Sequence, residues 1–164
     1  CWVIVAVVGS GGILQNSSCG AEIDNADYII RFNLGPVTNS KDVGNKTHLM
    51  TINPSQIRGY RNLTKDPQPL ANRVAVYGNA SLLLPAFSYQ FCTGLSLNAY
   101  HALQPLRPNQ KVVFFNPNFM LNLGRKWKGQ GLKEPRLSTG LMLASVAMEL
   151  CEEVRVCVCV RVSK

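Results

Sequence analysis

Apolar positions fall in short blocks separated by Gly, Pro and Asn. Residues 2–8 form an unbroken apolar run rich in β-branched side chains, ending at Gly9-Ser-Gly-Gly12. A continuous apolar strand is one buried on both faces, as in a parallel sheet between helices. Residues 16–24 follow as a short helix with Ser17 or Ser18 near its cap. Residues 28–32 read as a second strand and 48–52 as a third, closed by Asn53-Pro54. Residues 55–72 hold Gly59, Pro67 and Pro69 and read as a loop with room for one helical turn. Residues 73–77 and 81–84 are further strand candidates, and 93–104 a helix stopped by Pro105. Residues 111–115 are a strand ended by Asn116-Pro117. Residues 141–153, after Ser138-Thr-Gly140, are apolar nearly all round, which predicts a buried helix. The alternation of strands and helices predicts an α/β fold with a largely parallel sheet.

Composition narrows the class. With 164 residues, 46% hydrophobic and 16% charged, the chain excludes disorder, collagen and coiled coil and can bury a core as one domain. It contains no apolar run long enough to cross a bilayer, no signal peptide and no initiator Met, so a piece of a longer protein is expected. Lys and Arg outnumber Asp and Glu by 17 to 9, a net charge of +8. The cations are scattered, and the densest group is Arg125-Lys-Trp-Lys128. That scatter argues against nucleic acid and anionic membranes, leaving a solvated basic surface or a small anionic ligand. Asn16-Ser-Ser, Asn45-Lys-Thr, Asn62-Leu-Thr and Asn79-Ala-Ser are a mild excess of glycosylation sequons, which favours a lumenal or secreted domain.

Two places offer anion chemistry. A strand, a glycine turn and a helix present backbone N–H groups to phosphate. Gly9-Ser-Gly-Gly12 is nevertheless not the dinucleotide fingerprint, because the third glycine would fall at Leu14. The second strand also leads into Asn33, where a NAD site wants an acid. A tight structural turn explains the glycines equally well. Ser138-Thr139-Gly140 opens the last helix and offers hydroxyls and first-turn amides to a phosphate, or a simple N-cap. His48 and His101 have no partner pattern, and there is no Asp-x-Asp to hold a divalent ion. No general base is named by local pattern.

Longer stretches are more specific. Ala6-Val-Val-Gly-Ser-Gly-Gly-Ile-Leu14, Cys19-Gly-Ala-Glu-Ile-Asp24, Asp27-Tyr-Ile-Ile-Arg-Phe-Asn33 and Asp42-Val-Gly-Asn-Lys-Thr47 together resemble the large sialyl motif of the animal sialyltransferases. Arg136-Leu-Ser-Thr-Gly140 through Ala147, Cys151, Glu152 and Glu153 resembles the small one. Thr51-Ile-Asn-Pro-Ser55 and Leu84-Pro-Ala-Phe87 are most similar to the alpha-2,8 branch. The resemblance implies glycosyltransferase family 29 and a GT-A-like variant with a Rossmann-type, largely parallel sheet flanked by helices, truncated at the C-terminus. Residues 1–164 are then one partial catalytic domain, with the large motif at about 6–51, the small motif at about 136–153 and a divergent tail at 154–164.

By the same resemblance, the parent is a type II Golgi membrane enzyme whose lumenal domain moves sialic acid from CMP-sialic acid to a glycoprotein or glycolipid acceptor. In this branch the acceptor is itself sialylated. No metal or other cofactor is expected, no nucleic acid partner, and membrane attachment only through an anchor outside this chain. Ser10 (usually Asn in the family), Gly11, Asn33, Ser138, Thr139 and Gly140 are the implied donor-site residues. The implied mechanism is a single inverting displacement in which a histidine takes the acceptor proton. That histidine is expected beyond residue 164, so this chain alone is expected to be inactive.

Cys19 and Cys151 are the disulfide candidates. The usual first-motif Cys position is Val5, which leaves Cys151 unpaired unless Cys1 substitutes, and the usual partner of Cys19 lies beyond this chain. The resemblance is lost at residues 1–5 and after Glu153, where Val156-Cys-Val-Cys-Val160 matches a translated GT dinucleotide repeat. Those edges read as gene-model artefacts, with a real edge strand as the alternative. Two other functions remain open: a non-catalytic sugar-nucleotide-binding lumenal module or pseudoenzyme, and a cytosolic nucleotide-dependent oxidoreductase if both motifs are accidents.

Overall fold

A computed structural model describes residues 4–60 and 62–157. Six strands follow the order β5-β4-β3-β2-β1-β6, and the pairs β1–β2, β1–β6, β2–β3 and β4–β5 are parallel. This is the α/β architecture expected from the alternation of elements. The chain divides into two compact units, one from the residues up to Met50 together with those from Thr139 onward, the other Thr51–Ser138.

The first unit is built on β1 (Ile4–Val8), β2 (Tyr28–Arg31), β3 (Leu49–Thr51, whose last residue opens the second unit) and β6 (Glu153–Cys157). Val5, Ala6, Val7 and Val8 are each at most 2% exposed, so β1 is buried on both faces as its apolar run predicts. On one face Ala6 and Val8 meet Ile29, Leu14, Ile23 and Ala26. Each valine removed from water there contributes roughly 2 kcal/mol. Helix α1 (Gly20–Asp24) packs on α2 (Ser40–Val43). Helix α7 (Thr139–Leu150) packs on β1 and β6.

The predicted helix over 16–24 starts only at Gly20. Asn16 and Ser18 take left-handed backbone angles, φ 62° and 56°, because their N–H groups donate to the buried carboxylate of Asp42 at 2.7 and 2.9 Å. That side chain outcompetes the helix for the segment's donors.

The second unit holds α3 (Pro54–Arg58), α4 (Gln68–Ala75), β4 (Ser81–Leu84), α5 (Gln90–Leu103), β5 (Val112–Phe114) and α6 (Pro117–Gly129). The strand expected at 73–77 is largely helix instead. Leu70, Val74 and Tyr77 are buried at i, i+4 and i+7 while Val76 is 53% exposed, so the helical period overrides the local apolar run. Two prolines also start helices where they read as breaks. Pro54 and Pro117 sit in first turns, where a missing N–H costs nothing. Asn116 caps α6 by accepting from Asn118 N–H at 2.9 Å. No helix among the described residues is long and apolar enough to cross a membrane.

His48 is part of this framework. Its N–H donates to Ile29 O at 2.9 Å, its Nδ1 accepts the Ile29 N–H at 3.0 Å, and its ring stacks on Tyr28 at 5.1 Å. Burial, with Lys46 adding to it, holds the imidazole below its usual pKa. The unfolded chain therefore takes up the proton first, and stability falls as pH drops below about 6.5. Melting temperature against pH should show that decline in the wild type and a flatter profile in His48→Asn. Coincident slopes would remove His48 from the acid response.

Candidate functional site

The carboxyl edge of the first unit gathers most of the sequence-predicted residues. β1 ends at Val8, and Ser10, Gly11 and Gly12 stand exposed beyond it. A Cβ built on Gly9, Gly11 or Gly12 would meet no protein atom within 4 Å, and none of the three has positive φ. Neither packing nor backbone conformation demands glycine here. Open space over bare backbone is what a ligand approaching the amides requires.

β2 leads into a second special turn. Asn33 and Leu34 both have positive φ, 53° and 54°, and Gly35 N–H donates to Phe32 O at 3.0 Å, closing a type I′ turn. Asn suits such a position. Leu does not, and Leu34 is only 3% exposed. Strain of this kind persists only where the surroundings fix it, and it concentrates at functional sites. Gly35 lets the turn close on the glycine loop, since its Cβ would lie 3.3 Å from Ser10 Cβ. Ser10, Gly11, Gly35 and Arg31 line a shallow cavity of about 30 Å³. Asn33 is half-buried beside it in sequence, its carboxamide oxygen inside.

Helix α7 brings the second motif to the same edge. β6 runs parallel to β1 and pairs Glu153 with Ile4, so α7 must run back from the carboxyl edge before β6 begins. Twelve helical residues cover about 18 Å, the length of a five-residue strand. The amides of Thr139 and Gly140 therefore open on the edge where β1 and β2 end, with their partial positive charge. Ser138 directly precedes them and is exposed.

Three supporting residues were not singled out by sequence. Arg31 is 3% exposed, and its Nε donates to Lys46 O at 2.9 Å and Thr47 Oγ1 at 3.1 Å. A cation in a strand otherwise apolar on both faces was the available signal. Asp24 accepts the N–H groups of Asn45 and Lys46, each at 2.9 Å. Asp42 receives Asn16, Ser18 and Asn39 Nδ2, and the N–H groups of Ser18 and Asn16 hold its carboxyl below the ordinary range.

Cys19 is disulfide-bonded, so its partner lies within this chain and not beyond it as expected, whereas Cys151, the other disulfide candidate, is a free thiol like the buried Cys92. Asn16, Asn45, Asn62 and Asn79 are all exposed. His101 is exposed on α5. Among the described residues no group of three His, Cys, Asp or Glu is placed to hold a metal. Of the 156–160 segment, Val156 and Cys157 pair with β1, and 158–160 lie outside the described residues.

Glycine turn, strained Asn turn and helix N-terminus together at a parallel sheet's carboxyl edge give an α/β protein an arrangement that can hold an anionic ligand. The family model for glycosyltransferase family 29 (sialyltransferase) matches residues 3–157, and the chain belongs to that family. It is 51% identical over 153 residues to mouse alpha-2,8-sialyltransferase 8F, covering 92% of this chain and 38% of that one. It is 46% identical over 154 residues to bovine alpha-N-acetylneuraminide alpha-2,8-sialyltransferase, covering 92% and 43%. The chain thus spans about two fifths of these curated relatives. A crystal structure of a mammalian sialyltransferase in complex with Gal-beta-1-3GalNAc-ortho-nitrophenol shares the fold, with TM-score 0.63 and 23% identity over 93% of this chain and 54% of that one. The sialyltransferase CstII from Campylobacter jejuni, in complex with cytidine-5'-monophosphate, does so at TM-score 0.53 and 16% identity, over 93% and 66%.

Proposed function

We propose that this chain supplies the donor-binding part of a sialyltransferase that moves sialic acid from CMP-sialic acid to a glycan hydroxyl. The observation that carries the reading is the open space over Gly9, Gly11 and Gly12 beside the strained Asn33–Leu34 turn. Ser10, Gly11 and Asn33 bind the nucleotide, and Ser138, Thr139 and Gly140 meet the departing phosphate as it gains charge. Fixed amides and hydroxyls aimed at developing charge need no reorganisation during the reaction. The phosphate is neutralised in this way without a metal. The bovine relative's name, alpha-N-acetylneuraminide alpha-2,8-sialyltransferase, favours an acceptor that is itself sialylated, which we place on glycoprotein or glycolipid. Four exposed sequon asparagines support a lumenal setting, which we assign to the Golgi. The acceptor's base comes from outside the residues described.

The test is donor kinetics in the longer parent protein. Asn33→Ala should raise the donor KM about tenfold or more, the loss of one or two hydrogen bonds to a charged ligand. Acceptor KM should stay within about twofold. Unchanged donor KM in Asn33→Ala and Ser10→Ala together would overturn the site.

A further inference from the structure

Scatter along the sequence hides one concentration of charge. Residues 125–136 carry Arg125, Lys126, Lys128, Lys133 and Arg136 against Glu134 alone, a net +4 of the chain's +8. Arg125, Lys128 and Glu134 of this group line a cavity of about 290 Å³ that lies wholly in the second unit. Helix α6 buries Met120 and Leu123. Leu121, Arg125 and Lys128 recur at i, i+4 and i+7 along one exposed flank, and all three line the cavity. Leu121 is 58% exposed. The opposite walls are Tyr89, Leu132, Pro135 and Leu137, with the Ser88 hydroxyl buried and without a hydrogen-bond partner among the described residues. The Arg136 guanidinium lies over the Tyr89 and Phe91 rings at 5.8 and 5.3 Å and fixes the aromatic wall.

A site for a small soluble anion would set its cations over polar groups. Here Arg125 and Lys128, with Glu134 as the one acid among the lining residues, rim a largely apolar hollow, and the exposed Leu121 stands in line with the two cations. That is the pattern of an interfacial helix: apolar side chains enter the acyl boundary while long cations reach up to headgroups. We propose that this face of α6, with the segment 130–137, docks on a membrane surface carrying anionic lipid headgroups. Leu121 enters the boundary layer, and Arg125 and Lys128 pair with the headgroups. The surface shares no residue with the Gly9–Gly12 turn or with Ser138–Gly140.

Vesicle co-sedimentation of the full chain tests it. Phosphatidylcholine vesicles doped with phosphatidylserine should retain at least about tenfold more protein than phosphatidylcholine alone. Arg125→Glu/Lys128→Glu should lose that gain, whereas Lys65→Glu/Lys111→Glu, the same charge change at exposed positions elsewhere, should keep most of it. Leu121→Ser should weaken retention at constant charge, and circular dichroism should show all variants folded. Equal retention on neutral vesicles, or equal loss in the two charge-reversal pairs, would overturn the proposal. So would full displacement from the vesicles by a soluble sialylated oligosaccharide, which would make the cavity an acidic-glycan site.

Discussion

Gly20→Ala should unfold the first unit or lower its melting temperature by roughly 6–12 °C, the equivalent of about 3 kcal/mol at this chain length. Gly20 is the first residue of α1, and its missing Cβ is where α1 touches α2. An added Cβ would collide with Ser40 O and lie 2.7 Å from Lys41 O and 2.9 Å from Gly44 N. All three are backbone atoms, so no side chain can rotate away. Ser40 O is already committed, accepting the Gly44 N–H at 2.9 Å. The contact is locked from the other side as well, since Gly44 has φ 70° and a Cβ there would meet Asp24 Oδ1 at 2.5 Å. Gly94 is the matched control: it sits exposed in α5 with nothing within 4 Å of its Cβ position. Gly94→Ala should stabilise by about 0.5–1 kcal/mol through helix propensity alone. Thermal melts of the two variants separate the effects, and a wild-type melt for Gly20→Ala would remove the α1–α2 contact from the fold.

Gly20 also shows what was legible in the sequence. The apolar run ending at Val8 announced a strand buried on both faces, and the structure has one. Where a residue's neighbours along the chain decide its state, pattern reading succeeds. It fails where distant groups decide. The stretch 16–19 has helix-compatible residues, yet Asp42, 26 positions beyond Asn16, takes its amide hydrogen atoms. Residues 73–77 are a short apolar run that reads as a strand, but Leu70 and Tyr77 are drawn inward with Val74, a period visible only over a longer window. The Gly9–Gly12 turn was legible as glycines and not as geometry. That Gly9, Gly11 and Gly12 face open space while Gly20 and Gly35 face backbone or Ser10 cannot be read from the letter G. The shared flank of Leu121, Arg125 and Lys128 on α6 was not legible for the same reason. Sequence scatter of cations says nothing about which of them share a helix flank.

Arg31→Met should cost on the order of 3 kcal/mol, and Arg31→Lys should recover less than half of it. A guanidinium 3% exposed inside a sheet must be held by acceptors on several sides. Its Nε is shared between Lys46 O and Thr47 Oγ1, and its Nη2 lies 4.0 Å from Asp24 Oδ1. Asp24 in turn holds the backbone of Asn45 and Lys46, so one arginine and one aspartate tie β2 to the segment leading into β3. Met fills similar volume but strands Lys46 O beside a carboxylate that has lost its counter-charge. Lys keeps the charge as a single point and cannot address three acceptors in a plane. Thr47→Val removes one arm of the network, so its cost and that of Arg31→Met should fall short of additivity in the double variant. Arg31 also lines the shallow cavity with Ser10 and Gly11. In the longer parent protein, donor KM should therefore rise further in Arg31→Lys than in Thr47→Val. Additive costs would uncouple Arg31 from Thr47, and a Lys variant as stable as the wild type would show that a point charge suffices and the planar fork is not required.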